Sequence, residues 1–123
     1  MDSDILIWHL RGDERARSLL KSLRTDSAQM LCLGALQRAE VLFFAKQGEV
    51  RSTRMLLSLF DTVPVDAAVV DLASELFRSW HPSHGFDVAD ALLAATVMIT
   101  GGKIYTLNSK HFPMPDLLVE QAW

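Results

Sequence analysis

The segment DVADALLAAT, residues 87–96, reads as the start of a very apolar helix that runs from residue 88 to residue 100. Asp87 is expected to cap this helix, because an aspartate at that position accepts hydrogen bonds from free first-turn N–H groups. Gly101 and Gly102 predict where the helix ends. Asp90 stands three residues after Asp87, in a spacing similar to that of a capping box. Capping explains Asp87 fully, but it does not fully explain an acid at the mouth of so apolar an element.

Short apolar strands alternate with amphipathic helices on both sides of this segment. The alternation predicts an α/β fold, with a mainly parallel central sheet flanked by helices. A length of 123 residues suits one domain that spans residues 1–123. The predicted helices cover residues 4–11, 13–24, 35–47, 50–60, 67–80 and 88–100, with Asp66 as the N-cap of the fifth, and the predicted strands cover residues 29–33, 62–65, 104–107 and 117–120.

Composition narrows the possible functions. The formal net charge is −3, which argues against tight, non-specific binding to nucleic acid. It leaves a nuclease possible, because acidic metal ligands lower the net charge and bound Mg²⁺ restores positive charge where a phosphate must lie. One cysteine, Cys32, allows no internal disulfide. Without a signal-like start or a long apolar run, the sequence predicts a cytoplasmic chain with no membrane segment.

Acidic and amide side chains recur at the ends of predicted strands and helices. They are Asp2 and Asp4 at the start of the chain, Glu40 in an otherwise apolar helix, Asp87 with Asp90, and Asn108 after a strand. Carboxylates gathered at one edge of a sheet repel each other unless a cation lies among them, and Mg²⁺ prefers oxygen ligands. Taken singly, each has a simpler interpretation: a helix cap at Asp2 or Asp4, a solvated Glu40, and a turn at Asn108.

Considered together, these segments resemble the PIN-domain family, and most closely its VapC-type toxin ribonucleases. The resemblance extends over nearly the whole chain. DSDILI at residues 2–7 is similar to the family's opening motif, and RAEV at 38–41 to the helix that carries its second acid. DALLAAT at 90–96 is a close match to its most recognisable signature, and TLNSKHF at 106–112 is similar to the segment with its fourth polar ligand.

The resemblance implies a metal-dependent endoribonuclease that cleaves single-stranded RNA and is the toxin of a type II toxin–antitoxin pair. It implies Mg²⁺, with Mn²⁺ as a possible substitute, an antitoxin protein as partner, and a homodimer. By position, it implies metal ligands at Asp2, Glu40 and Asp90, a fourth catalytic position at Asn108, and auxiliary roles for Ser3, Asp4 and Asp87. It does not indicate which residues bind the RNA.

Two departures from the family pattern keep other functions open. Only Met1 precedes Asp2, so the first strand is expected to be truncated, and Asn108 is neutral where an aspartate is common. A catalytically inactive PIN-like binding module would fit both departures. Asp2-Ser3-Asp4 also matches the letters of an Asp-x-Asp phosphatase motif, in which an aspartate is the nucleophile. Lys103 or Lys110 would then supply the required lysine, and Asp87 with Asp90 the required acidic pair.

Overall fold

Six α-helices and four short strands make up most of the part of the chain that the structure describes. The structure is a computed structural model that describes residues 1–26 and 30–123. The α-helices are α1 (Ser3–Leu10), α2 (Glu14–Thr25), α3 (Ala35–Phe43), α4 (Val50–Leu57), α5 (Ala67–His84) and α6 (Val88–Thr100). The strands are β1 (Cys32–Gly34), β2 (Asp61–Val63), β3 (Lys103–Thr106) and β4 (Leu118–Gln121).

Aspartate caps fix where several helices begin. Asp66 accepts a hydrogen bond from Val69 N at the start of α5, as the sequence predicts, and Asp13 caps α2 in the same way. Asp2 is the N-cap of α1, so the prediction that this residue caps a helix is confirmed. Each cap satisfies N–H groups that have no partner within their helix.

The strands form two parallel pairs rather than one continuous sheet. β1 pairs with β2, and β3 pairs with β4, each in parallel register. The α/β class and the parallel strand direction are therefore confirmed. The single central sheet expected from the sequence is divided, over the residues that the structure describes, into two two-stranded sheets.

Met1 and Asp2 lie between the two strand pairs. The Met1 amino nitrogen donates to the Cys32 carbonyl oxygen at 3.2 Å, and Asp2 N donates to the Tyr105 carbonyl oxygen at 3.0 Å. The start of the chain thus bonds to β1 on one side and to β3 on the other, as a central strand would.

Two predicted helix boundaries are wrong. The helix expected over residues 35–47 ends at Phe43, and a 3₁₀ turn at Gln47–Glu49 leads into α4. Phe43 and Phe44, two of the apolar residues of the predicted helix, are 80% and 82% exposed, so they do not extend its buried face. The predicted strand at 29–33 begins later, at Cys32, and residue 29 lies outside the described residues.

The other wrong boundary is the end of α5. The helix predicted over residues 67–80 continues through His84. Pro82 lacks an N–H and crowds the preceding turn, but it lies in the last turn of α5 and only two helical residues follow it. Gly85 ends α5 instead, with a φ of 65° that glycine adopts without strain. The His81 ring bonds to the Phe86 carbonyl oxygen at 2.7 Å across this end.

Buried apolar side chains form two clusters. The first cluster contains residues of α5, α6 and β3 and of the segment that follows β3. The second contains residues of the helices α1, α2, α3 and α4, together with Leu33 of β1. Phe86 lies in the first cluster, fully buried, with its ring edge-on to Phe112 at 6.1 Å between centroids. Over the residues described, no helix is both long and apolar enough to cross a membrane.

Replacing Phe86 with alanine should lower the free energy of unfolding by about 3–5 kcal/mol, because it empties a fully buried site. Phe43→Ala removes the same atoms from a side chain that is 80% exposed, and it should change stability by about 0.5 kcal/mol or less. Urea unfolding followed by tryptophan fluorescence measures both variants. Equal losses would show that α5 and α6 do not pack around Phe86 as described.

Candidate metal centre

Three of the acidic side chains predicted for the site belong to different elements. Asp2 precedes α1, Glu40 lies in the second turn of α3, and Asp90 lies in the first turn of α6. Asn108 follows β3 and begins the 3₁₀ turn Ser109–His111. β1 leads directly into α3, which carries Glu40, and Asn108 follows β3, so both residues come after the carboxyl end of a strand in a parallel pair. The carboxyl ends of the strands are where α/β sheets bind ligands.

Asp2 is held at both of its carboxylate oxygens. Its Oδ1 accepts from Ser3 N at 2.8 Å, and its Oδ2 accepts from Thr106 Oγ1 at 2.8 Å. Thr106 is fully buried, and its hydroxyl also accepts from Asn108 N at 3.1 Å. Thr106, at the end of β3, therefore positions both the Asp2 carboxylate and the backbone of Asn108.

Ser3 and Asp4 connect the first helix to the rest of the site. Ser3 Oγ donates to Glu40 Oε1 at 3.3 Å, which fits the orienting role expected for this serine. Asp4 accepts from Ile5 N at 2.7 Å and from Leu107 N at 3.2 Å. Asp4 is thus engaged with backbone groups, and this arrangement fits an auxiliary role better than a ligand's role.

Asp87 and Asp90 form the predicted capping box at the start of α6. Asp90 N donates to Asp87 Oδ1 at 2.8 Å, and Asp87 N donates to Asp90 Oδ2 at 3.2 Å. The reciprocal bonds hold the Asp90 carboxylate over the helix terminus. His111 approaches the same oxygen, with Nδ1 at 3.7 Å, which is an ion-pair distance rather than a hydrogen bond.

Burial and mutual repulsion disfavour negative charge on these acids. Burial, followed by the charge of Asp2, raises the pKa of Asp4 to about 6. Burial raises the pKa of Asp90 to about 7, with further contributions from Asp87 and Asp2. Burial also raises the pKa of Asp2 and of Glu40, and Asp2 adds to the effect on Glu40. The charges therefore interact across the site, although the residues come from separate elements.

The donor set suits a hard divalent cation in its chemistry and charge. Its donors are carboxylate oxygens, the ligands that Mg²⁺ prefers, and burial followed by repulsion between the acids raises their pKa values. As the side chains stand, no three acidic, histidine or cysteine groups among the described residues are close enough together to hold a metal ion. The charge of Asp2 contributes to the raised pKa values of Glu40 and Asp90. That these acids bind a metal ion stays a prediction.

The PIN-domain family model matches residues 1–114 of this chain. The chain belongs to the PIN-domain family. Within it, the chain resembles VapC-type proteins: it is 35% identical to ribonuclease VapC10 of Mycobacterium tuberculosis over 96% of this chain and 88% of that protein. Ribonuclease VapC19 of the same organism is 31% identical over 95% of this chain and 94% of its own length.

The fold agrees with this assignment. A toxin–antitoxin complex from Klebsiella pneumoniae contains a chain that superimposes with a TM-score of 0.79. The match covers 99% of this chain and 95% of that chain at 22% sequence identity, so it bears on the PIN fold alone. The opening motif, the acid of α3 and the signature of α6 thus occur in a PIN domain with the expected architecture.

Two residues of this PIN domain were missed by the sequence analysis. Thr106 was quoted only as part of a motif, and its anchoring of Asp2 depends on a contact across 104 positions of sequence. His111, near Asp90, was likewise assigned no role. A lone threonine at a strand end carries little signal. The Asn108 side chain is exposed, and its backbone N–H supplies its hydrogen bond to the site.

Thr106→Val should raise the pKa of Asp2, because the Thr106 hydroxyl stabilises the charged carboxylate. It should also lower the free energy of unfolding by about 1–3 kcal/mol, since valine leaves a part-buried acceptor without its donor. Carbon-detected NMR titration of the carboxylates measures the first effect. Thr53→Val is the matched control: Thr53 is also fully buried, but it bonds to Glu49 within another element, so Asp2 should titrate normally.

The stability of the metal-free chain should depend on Asp90 between pH 4 and pH 7. The folded state binds a proton at Asp90 that the unfolded state has released, so deprotonation opposes folding as the pH rises through this window. Asp90→Asn should therefore become more stable relative to the parent chain from pH 5 to pH 8 in EDTA. Asp71→Asn, at an exposed position of α5, should follow the parent. Parallel pH profiles for all three would contradict the raised pKa.

Proposed function

We propose that residues 1–123 form one PIN domain that acts as a Mg²⁺-dependent endoribonuclease on single-stranded RNA, as the toxin of a type II toxin–antitoxin pair. The observation that carries the proposal is the match of the PIN-domain family model to residues 1–114, together with the hydrogen bonds of Ser3 to Glu40 and of Thr106 to Asp2 at the predicted site. The relatives named ribonuclease VapC10 and VapC19 support the reaction class. RNA and one free thiol at Cys32 are compatible with the cytoplasm.

In this proposal Asp2, Glu40 and Asp90 hold the divalent cation. When bound, Mg²⁺ or Mn²⁺ supplies a polarised water and positive charge to balance the phosphate in the transition state. Without it the site would repel RNA, because its acids are negative when ionised and the whole chain carries a net charge of −3. The cation therefore contributes to binding the phosphate as well as to its hydrolysis.

The other residues of the site position these acids. Thr106 fixes the Asp2 carboxylate, Ser3 bonds to Glu40, and the Asp87 cap holds Asp90 at the helix terminus. Asn108 stands at the strand end with its amide exposed, where it can contact the substrate or a water. Preorganised side chains of this kind avoid the cost of ordering them when the substrate binds.

An antitoxin partner is supported by exposed apolar side chains on α3 and α4. Phe43 and Phe44 at the end of α3 are 80% and 82% exposed, and Met55 on α4 is 65% exposed. Exposed apolar side chains of this size, when they are grouped, mark protein interaction sites. We propose that the antitoxin covers this region, and that the toxin is a homodimer. Light scattering of the chain alone and with its antitoxin measures both assemblies.

The two alternative functions have less support. An Asp-x-Asp phosphatase requires a free nucleophilic oxygen on Asp2, and both oxygens accept hydrogen bonds here. Lys103, one candidate for its lysine, is paired with Glu120 at 2.8 Å. An inactive PIN-like module remains distinguishable by calorimetry, because the proposed enzyme must bind Mn²⁺ or Mg²⁺ at millimolar concentration and an inactive module need not.

Asp90→Asn should reduce the rate of single-stranded RNA cleavage by about a hundredfold or more, because it removes a charged ligand that contributes several kcal/mol to metal-assisted hydrolysis. It should also abolish growth inhibition and weaken Mn²⁺ binding in calorimetry. The measurement uses a fluorescent RNA oligonucleotide in Mg²⁺ or Mn²⁺ buffer.

Asp71→Asn makes the same chemical change on the exposed face of α5, and it should cleave RNA at the parent rate. Circular dichroism of both variants controls for folding. Cleavage at the parent rate by a folded Asp90→Asn protein would refute the assignment of the site.

A further inference from the structure

A tryptophan and an arginine at the end of the first helix lie together at the protein surface. Trp8 is 39% exposed, and the guanidinium carbon of Arg11 lies 5.5 Å from the centre of its ring. Arg11 is itself exposed. A cation at this distance is attracted by the negative face of the indole. The surface thus presents an aromatic ring and a planar positive charge side by side.

Backbone hydrogen bonds fix the position of this pair. Arg11 is the C-cap of α1, and its N–H donates to the carbonyl oxygens of Ile7 and Trp8, each at 3.1 Å. Asp13 N donates to the same Trp8 oxygen at 3.1 Å as the chain turns into α2. Gly12 makes that turn with a φ of 87°, which glycine adopts without strain. The pair therefore lies on a hydrogen-bonded corner between two helices.

The pair is close to the candidate metal centre. Trp8 follows Asp4 by four residues, so the two side chains are neighbours on one face of α1. Asp4 accepts from Leu107 N, just beyond the end of β3. Helical side chains tilt toward the N-terminal end, which brings the indole back toward Asp4. Six residues separate Trp8 from Asp2, which is about 9 Å of helix or about two to three stacked nucleotides.

A second contact between a tryptophan and an arginine differs from this one in charge. Arg15 lies 5.2 Å from the ring centre of Trp123, but its guanidinium is paired with Asp13, with Nη2 at 2.9 Å from Oδ2 and Nε at 3.2 Å from Oδ1. Among the residues that the structure describes, Arg11 has no carboxylate at ion-pair distance. The charge of Arg11 is therefore available to a phosphate, which binds guanidinium through paired N–H donors.

We propose that Trp8 and Arg11 form an RNA subsite beside the metal centre, in which one base stacks on the indole and the guanidinium binds a neighbouring phosphate. The inference rests on the proposed function, since it takes single-stranded RNA as the substrate. Unpaired bases stack on aromatic rings in most proteins that bind single strands. Such stacking tolerates any base, so this subsite positions the strand and does not select its sequence.

The composition and place of the pair favour RNA over a protein partner. A partner helix docks through grouped apolar side chains, such as the exposed Phe43, Phe44 and Met55. At the pair, a single ring is joined to an uncompensated positive charge, one helical turn from an acid of the site. A protein that covers Trp8 and Arg11 is the alternative that the test must exclude.

The first measurement is the equilibrium binding of a short fluorescein-labelled oligouridylate in Mg²⁺ buffer, followed by anisotropy. The host is the Asp90→Asn protein, and a gel checks that the strand stays intact. Trp8→Leu should weaken binding about tenfold, because leucine keeps an apolar side chain but removes the stacking surface. Trp8→Phe keeps an aromatic face and should retain most of the affinity. Equal affinities of the two variants, or no binding by the host, would overturn the proposal.

The second measurement is the salt dependence of the same affinity. Arg11→Ala should reduce the slope of log K against log salt by about 0.7, the contribution of one phosphate contact in a single strand. Arg11→Lys keeps the charge and should keep the slope. Arg78→Ala removes the same charge from an exposed position of α5 and should change neither slope nor affinity. An unchanged slope in Arg11→Ala would rule out the phosphate contact, because a merely structural arginine releases no counterions.

The third measurement locates the base. An RNA strand that carries 5-iodouridine crosslinks under ultraviolet light to aromatic rings on which it stacks, and the product should lie in the tryptic peptide of residues 1–11, where Trp8 is the only Trp, Tyr or Phe. Crosslinks confined to other peptides would contradict the subsite. So would a Trp8→Leu protein that loses antitoxin binding but keeps its RNA affinity. Cleavage by the parent chain is measured separately, so failure of the subsite is distinguishable from failure of the ribonuclease proposal.

Discussion

The hydrogen bonds made by the first two residues hold the candidate site together. Met1 bonds to β1, Asp2 bonds to β3, and the Asp2 carboxylate bonds to Thr106 at the end of β3. These contacts join residues that are 31 to 104 positions apart in sequence. They help to fix Asp2 relative to Glu40 and Asp90, because the two strand pairs, as far as the structure describes the chain, form separate sheets.

Folding and function make opposite demands on the acids. Asp2 and Asp87 cap helices, and this role stabilises both the helices and the negative charges near their N-termini. Burial and repulsion act against those charges, and they raise the pKa of Asp90 to about 7. A divalent cation would remove the conflict by compensating the charge. The same side chains can therefore be helix caps and candidate ligands, and neither interpretation excludes the other.

Local chemistry made much of the fold predictable. Aspartate caps and terminal glycines gave α6 its bounds, and periodicity gave the existence of every helix. The wrong helix ends are those of α3 and α5. Phe43 and Phe44 are apolar but face solvent, and Pro82 is tolerated near a helix end. The division of the sheet into two pairs, over the residues described, was not predicted, because strand pairing depends on contacts between distant parts of the chain.

The sequence by itself determined the α/β class, the PIN resemblance and the identity of the candidate acids, because periodicity, caps and motif order are local properties of the chain. Tertiary structure alone decided that Thr106 anchors Asp2 and that His111 approaches Asp90. Those facts depend on distances between residues far apart in the chain. No local pattern encodes such distances, because they are set by how the helices and strands pack.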